Sequence, residues 1–207
     1  MEQGSLMPLW ATPIYHNKIT GDEFDEIQKE LYDIIDKVKF EESQGWGAHS
    51  HQLTENAFSQ NILYDNQCMK TLTFIHNCLM DYIQSVNAPA VQYVMDGAWI
   101  TKTKKGKQAY PHSHGFSDIS GVYYINTNGK DGNLVFTNIH DGFANNIIYN
   151  SIGGASTAPL ETGLIMMWPS NLRHETQENT TDNERLSLSF NVNFARNGFK
   201  IDFGDDS

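Results

Sequence analysis

The sequence predicts an α+β fold that is mainly β: an antiparallel sandwich or barrel with two packing helices. Three observations carry that expectation. The first half holds two stretches whose apolar residues recur at helical spacing. The second half switches to short β-branched and aromatic runs. Between those runs stand the turn signals Asn128-Gly129, Asp131-Gly132, Gly153-Gly154 and Asn183, with neither a βαβ alternation nor a phosphate-binding glycine loop. Helices followed by many strands imply helices packed on one sheet.

In chain order, Leu6 to Tyr15 is apolar with two prolines and reads as a short edge strand or an extended arm. From Asp22 to Phe40, residues Phe24, Ile27, Leu31, Ile34, Ile35 and Val38 fall on one helical stripe, with acidic residues in the first turn. Glu41 to Asn61 is polar and reads as a loop with some extended structure. A second helix runs from about Asp65 to Val86 on the stripe Met69, Leu72, Ile75, Leu79, Tyr82, Ile83 and Val86, and Asn87-Ala88-Pro89 ends it. Strands follow within 91–114, 118–126, 133–138, 145–151, 163–170 and 185–194. A chain of 207 residues suits one domain over 1–207, with helical support over 20–90 and a β core over 91–196.

Composition removes several function classes. With 39% hydrophobic and 19% charged residues the chain is globular rather than disordered. A formal net charge of −11 argues against a nucleic-acid or anionic-membrane surface, which needs clustered Lys and Arg. No apolar run approaches a membrane span, and the first residues lack a secretion signal, so a cytoplasmic protein is expected. Cys68 and Cys78 lie too far apart along a helix to bridge and read as reduced, buried thiols. Asn179-Thr180-Thr181 matches a glycosylation pattern, which is taken as chance. Oligomeric state is left open, a homodimer included.

The chemistry concentrates in Tyr110 to Asn126. His112 and His114 stand at a period of two, so in extended chain both rings leave the same face and can approach one metal ion. A β-sandwich site of this kind needs a third ligand from a late strand, and His174, after a Pro-Ser turn, is the candidate. Beyond it, Arg185, Ser187 and Ser189 alternate with Leu186, Leu188 and Phe190. If the polar face points outward this is a plain surface strand; if inward, it lines a pocket made for a carboxylate.

These motifs carry a resemblance. The stretches WITKTKKGKQAYPHSHGFSDISGVYYIN, GNLVF and MMWPSNLRHETQENTTDNERLSLSFNVNF, with LWATPIY near the start, resemble a group of Fe(II)/2-oxoglutarate-dependent oxygenases of bacteria and phages. The resemblance implies a double-stranded β-helix, or jelly roll, in the prolyl-hydroxylase-like superfamily. It also implies Fe(II) and 2-oxoglutarate as cofactors, with O2 and an unidentified primary substrate as partners. Carried over by motif, His174 resembles the distal ligand, Arg185 the clamp on the far carboxylate of 2-oxoglutarate, Ser187 a helper hydroxyl, and Tyr124 the tyrosine that reaches the cosubstrate.

One departure concerns the carboxylate ligand. Where facial-triad members write H-x-D or H-x-E, this chain has His112-Ser113-His114. Either three histidines hold the metal, or Asp118 completes the site; the i, i+2 geometry favours His112, His114 and His174. His49-Ser50-His51 repeats the HSH spelling without a following strand and is read as structural or near a substrate entrance, with Trp46 beside it as a further candidate to touch substrate. His16, His76 and His140 are isolated. Lys102, Lys104, Lys105 and Lys107 around Gly106 read as a solvated hairpin turn rather than an anion-steering patch, and Trp99, Tyr123 and Trp168 as core aromatics. The expected activity is hydroxylation by a 2-oxoglutarate-dependent dioxygenase. Its alternatives are a non-catalytic jelly-roll binding or phage structural protein, and a cupin-like three-histidine metalloenzyme that does not use 2-oxoglutarate.

Overall fold

A computed structural model describes residues 12–42, 52–55, 57, 60–89, 92–137 and 155–195. In chain order the elements are β1 (Tyr15–Lys18), α1 (Asp22–Ile35), β2 (Phe40–Glu42), β3 (Gln52–Thr54), α2 (Ile62–Asp65), α3 (Met69–Ser85) and β4 (Tyr93–Thr103). Then come β5 (Ile119–Asn126), β6 (Leu134–Thr137), β7 (Ala155–Ala158), β8 (Leu164–Pro169), β9 (His174–Thr176) and β10 (Arg185–Phe194).

Helix α1 forms where the stripe predicts it, burying Ile27, Leu31 and Ile34, with Asp22, Glu23 and Asp25 beside its positive N-terminus. It stops at Ile35 rather than running to Phe40. The amides of Lys37 and Val38 both return to the Ile34 carbonyl, and Phe40 is drawn into a strand opposite Thr54. The second helix likewise starts later than Asp65. Asn61 caps the short α2 by accepting from the Leu63 and Tyr64 amides, and Gln67 at φ +54° breaks the path before α3. Glu30 of α1 then accepts from the Lys70 and Thr71 amides, so one helix caps the start of the other. Asn87, at φ +52°, closes α3 in the left-handed conformation expected of a C-terminal residue.

The strands form a seven-stranded sheet, ordered β1-β8-β5-β10-β4-β3-β2, and a three-stranded sheet, ordered β7-β6-β9. Every pairing between these strands is antiparallel. The edge strand predicted within Leu6 to Tyr15 begins only at Tyr15, while residues 1–11 and the predicted strand at 145–151 lie outside the described residues. The expected helical support also contributes β2 and β3 to the large sheet.

Strand β10 divides the molecule. Its Leu186, Leu188, Phe190 and Val192 join Ile27, Leu31, Ile75 and Leu79 of the helices in one core. Gly121 makes room for this packing, because a Cβ there would come within 2.2 Å of Phe190 Cζ. A second core of Val122, Tyr124, Phe136, Met166 and Trp168 fills the space between the sheets. The helices therefore cover one face of the large sheet, and its other face is left to build an interior site. Cys68 and Cys78 are buried and free, and burial pushes both thiols up, Cys68 to about 11. Among the described residues no helix is long and apolar enough to cross a membrane.

Candidate metal centre

The alternation of β10 resolves inward. Arg185 lies opposite Thr103, Ser187 opposite Thr101 on one side and Tyr124 on the other, and Asn191 opposite Ser120. Because side chains alternate along a strand, this register aims one polar row into the space between the sheets while the apolar row faces the helices. The row lines a cavity of about 360 Å³, within the range of small-molecule sites.

His112, His114 and His174 meet at this cavity. Their ring centroids are 5.1 Å apart for His112 and His114, 4.3 Å for His112 and His174, and 5.2 Å for His114 and His174. One ring nitrogen from each lies within 4.8 Å of the others, a group that could hold a metal ion. The segment carrying His112 and His114 is irregular rather than a continuous strand. A single antiparallel bridge pairs His112 with His174, each amide donating to the other's carbonyl at 2.9 Å. That bridge ties the early and late halves of the sequence together at two of the candidate ligands.

The donor set is oriented by hydrogen bonds. His112 Nδ1 lies 2.6 Å from the Tyr110 carbonyl, His174 Nδ1 lies 2.9 Å from the Leu172 carbonyl, and His114 Nδ1 lies 2.8 Å from Asn191 Oδ1. A carbonyl oxygen can only accept, so each neutral ring carries its proton on Nδ1 and keeps the Nε2 lone pair for a metal. Burial, with His112 close by, depresses His174 to about 3, and burial also lowers His114 against the opposing bond from Asn191. Both rings are neutral at pH 7, the state a ligand requires.

This depression has a sign for stability. In the metal-free protein the unfolded chain takes up the His174 proton near 6.5 and the folded chain near 3. Between those values the unfolded state binds more protons, so the contribution is complete above 6.5 and is lost as pH falls towards 3. Equilibrium unfolding of the metal-free protein should lose about 1.4 kcal/mol per pH unit from this group inside that window. The slope should be shallower in His174→Leu; an unchanged slope in that variant would contradict a neutral buried ring.

Arg185 is 2% exposed and lines the same cavity. Its guanidinium donates to the Asp131 carbonyl at 2.7 Å, to the Gly132 carbonyl, and to Thr103 Oγ1 at 3.3 Å. Burial lowers its pKa from the usual value, opposed by Tyr124 and Asp131. No carboxylate forms a salt bridge with it among the described residues. A buried cation held only by neutral oxygens is a receptor for an anion. Tyr124 is fully buried beside this cation, its ionisation pushed upward by burial. Among the described residues its hydroxyl has no hydrogen-bonding partner, and Ser187 lies directly across from it in the register.

The turn that holds Arg185 was not legible as a functional element. Asp131, completely buried, accepts from Thr127 Oγ1, the Asn128 amide at 3.0 Å and Asn183 Nδ2 at 2.6 Å. Gly132 follows at φ +99°, where an added Cβ would meet Gln177 O at 2.2 Å and Arg185 Nη1 at 3.1 Å. The Asp-Gly pair reads as an ordinary turn in sequence; its carbonyls become the cradle of the cation only after folding. Ser120, Ser170 and Asn191 also line or abut the site; they stand in the SGVYY, Pro-Ser and RLSLSFN stretches that carry the resemblance, but nothing in those stretches gives them a role before folding. Trp168, 4.9 Å from His174 in edge contact, keeps a buried indole N–H without an acceptor among the described residues.

Other expectations fall away from the site. Asp118 accepts from the Phe194 amide at 2.8 Å through its carboxylate and is not among the residues that cluster for a metal. His16 is exposed, and His76 is paired with Tyr93 at 2.8 Å. Trp46, His49, His51 and His140 lie outside the described residues. The lysines around Gly106 form a turn, with Lys102 on Glu184 at 3.2 Å and Lys105 on Asp182 at 2.8 Å. It is not a simple hairpin, since β10 lies between β4 and β5. Asn179 is completely buried, its side chain bonded to Thr103 O at 3.0 Å and to the Thr181 amide, so the glycosylation triplet is a structural turn.

Residues 97–191 match the family described as "Putative 2OG-Fe(II) oxygenase". No curated protein sequence matches the chain. Among solved structures, the non-heme alpha-ketoglutarate-dependent epimerase SnoN from nogalamycin biosynthesis is similar at a TM-score of 0.65 with 13% identity, covering 94% of this chain and 87% of that one. A Pseudomonas putida prolyl-4-hydroxylase is similar at 0.57 with 13% identity, covering 89% and 94%. HygX from Streptomyces hygroscopicus, solved with nickel, 2-oxoglutarate and hygromycin B, is similar at 0.56 with 11% identity, covering 88% and 83%. These likenesses show the double-stranded β-helix fold. The organisms named are bacteria, and the phage part of the sequence resemblance is not supported.

Proposed function

We propose that this chain, whose residues 97–191 match the 2OG-Fe(II) oxygenase family, is a 2-oxoglutarate-dependent non-haem iron dioxygenase whose metal is held by His112, His114 and His174. The observation that carries the reading is the pairing, in one cavity, of three oriented imidazoles with a buried guanidinium that lacks a carboxylate partner among the described residues. Each half suits one cofactor. The imidazoles offer neutral nitrogen donors to Fe(II), and Arg185 offers a charged donor to the far carboxylate of 2-oxoglutarate.

Iron with 2-oxoglutarate supplies the oxidising chemistry that activates O2 towards a substrate C–H bond. The protein's part is binding, orientation and exclusion of water. Three imidazoles rather than two and a carboxylate leave the metal its full positive charge, which alters affinity and redox tuning. Arg185 is held from behind by the Asp131 and Gly132 carbonyls, so it is aligned before the cosubstrate arrives and little ordering is left for binding. Tyr124 and Ser187 supply hydroxyls beside it, and Trp168 and Val122 keep the wall apolar. The buried free thiols support work in a reducing compartment, and we assign the cytoplasm.

An anaerobic Fe(II) titration with and without 2-oxoglutarate tests the reading. The expected result is a visible metal-to-ligand charge-transfer band that requires both components. Iron binding without that band would favour a three-histidine enzyme of cupin type, and no iron binding would favour a binding module.

A further inference from the structure

We propose that Asn191 is the positioning residue that makes His114 a competent metal ligand, with Ser120 and Ser170 holding Asn191 in place; this rests on the metal-centre reading above.

The three histidines are not oriented in the same way. His112 and His174 each donate Nδ1–H to the main-chain carbonyl two residues earlier, Tyr110 and Leu172. Their orientation is thus written into the local backbone. The equivalent carbonyl for His114 is that of His112, and it is already taken by the His174 amide at 2.9 Å. His114 turns instead to a side chain remote in sequence, Asn191 Oδ1 at 2.8 Å. Of the three Nδ1 partners, it is the one supplied by a side chain.

Asn191 is itself fixed. Its Oδ1 also accepts from Ser120 Oγ at 3.0 Å, and Ser120 Oγ lies 2.8 Å from Ser170 Oγ. Both serines are 1% exposed. Ser170 closes the loop by accepting the His114 amide at 2.9 Å, and the Trp99 ring stacks on the His114 ring at 5.8 Å and 21°. The network therefore begins and ends at His114. A neutral imidazole has one N–H; with the proton held on Nδ1, the lone pair stays on Nε2. Without the Asn191 acceptor the proton is free to move to Nε2, and that tautomer offers no Nε2 lone pair to the metal.

Two substitutions separate this role from simple packing. Asn191→Asp keeps the shape and the acceptor oxygen, whereas Asn191→Leu keeps the approximate volume and removes it. In metal-free protein labelled with 15N-histidine at pH 7.5, the wild type and Asn191→Asp should show His114 protonated at Nδ1, and Asn191→Leu a mixture with the Nε2–H form. In Co(II) titrations without 2-oxoglutarate, Asn191→Leu should bind about 10–100-fold more weakly, as for other outer partners of ligating histidines. Asn191→Asp should bind at least as tightly as the wild type. An Nε2–H ring in the wild type, or equal tautomer and affinity in the Leu and wild-type proteins, would overturn the proposal. Equal loss in the Asp and Leu variants would do so too, because the acceptor would then be irrelevant. If the wild type takes up no cobalt while His114 is protonated at Nδ1, the metal-centre reading fails, and the tautomer comparison alone decides the role of Asn191.

Discussion

His174→Ala is expected to abolish Fe(II) binding and, with it, all turnover of 2-oxoglutarate. His174 stands at the centre of the cluster, closest of the three pairs to His112 at 4.3 Å between centroids and bridged to it through both main-chain hydrogen bonds. Loss of an outer partner of a ligating histidine costs about 10–100-fold in metal affinity. Loss of the ligand itself should exceed that range, leaving two imidazoles that cannot enclose an ion. Isothermal titration under anaerobic conditions reads the effect directly. The same substitution relieves a buried ring of its acid sensitivity, so it should not unfold the protein at pH 7; circular dichroism checks that the variant is native. Retention of iron within about threefold would remove His174 from the site.

Arg185→Leu should weaken 2-oxoglutarate by about 10–150-fold while leaving Fe(II) affinity within about threefold, the range of a lost hydrogen bond to a charged group, 1.5–3 kcal/mol. The asymmetry follows from position. Arg185 touches the cavity wall through Thr103 and the Asp131 and Gly132 carbonyls and makes no bond to any of the three histidines. Removing a buried cation that has no ion partner among the described residues is not expected to lower stability strongly, since its desolvation is lifted together with its hydrogen bonds. Competition by 2-oxoglutarate analogues, followed by the charge-transfer band, separates the two affinities. Equal loss of iron and 2-oxoglutarate, or no change in either, would sink the clamp assignment.

Much of this site was legible before folding because its signals are local. The i, i+2 spacing of His112 and His114, the turn before His174 and the two-residue alternation of β10 each follow from short-range geometry. The same holds for the helices, whose stripes at Ile27, Leu31 and Ile34, or Ile75, Leu79 and Ile83, face the core as expected. Helix ends were less legible. Gln67 in a left-handed conformation and the return of two amides to Ile34 O depend on what the next segment must reach.

What the sequence alone determined is the mainly β class, the polar row beginning at Arg185 and the candidate ligands, since these are periodicities and residue types. Only the tertiary structure decided that the polar row faces inward, because a strand has two equivalent faces until the helices claim one with Leu186, Leu188 and Phe190. The structure likewise brought His114 rather than Asp118 to the cluster, since Asp118 is held at the Phe194 amide across the sheet. The cradle of Arg185 and the support of His114 come from Asp131, Gly132 and Asn191, residues far along the chain from their partners. A hydrogen bond of that kind has no sequence period; it exists only once strand register has set which remote groups meet.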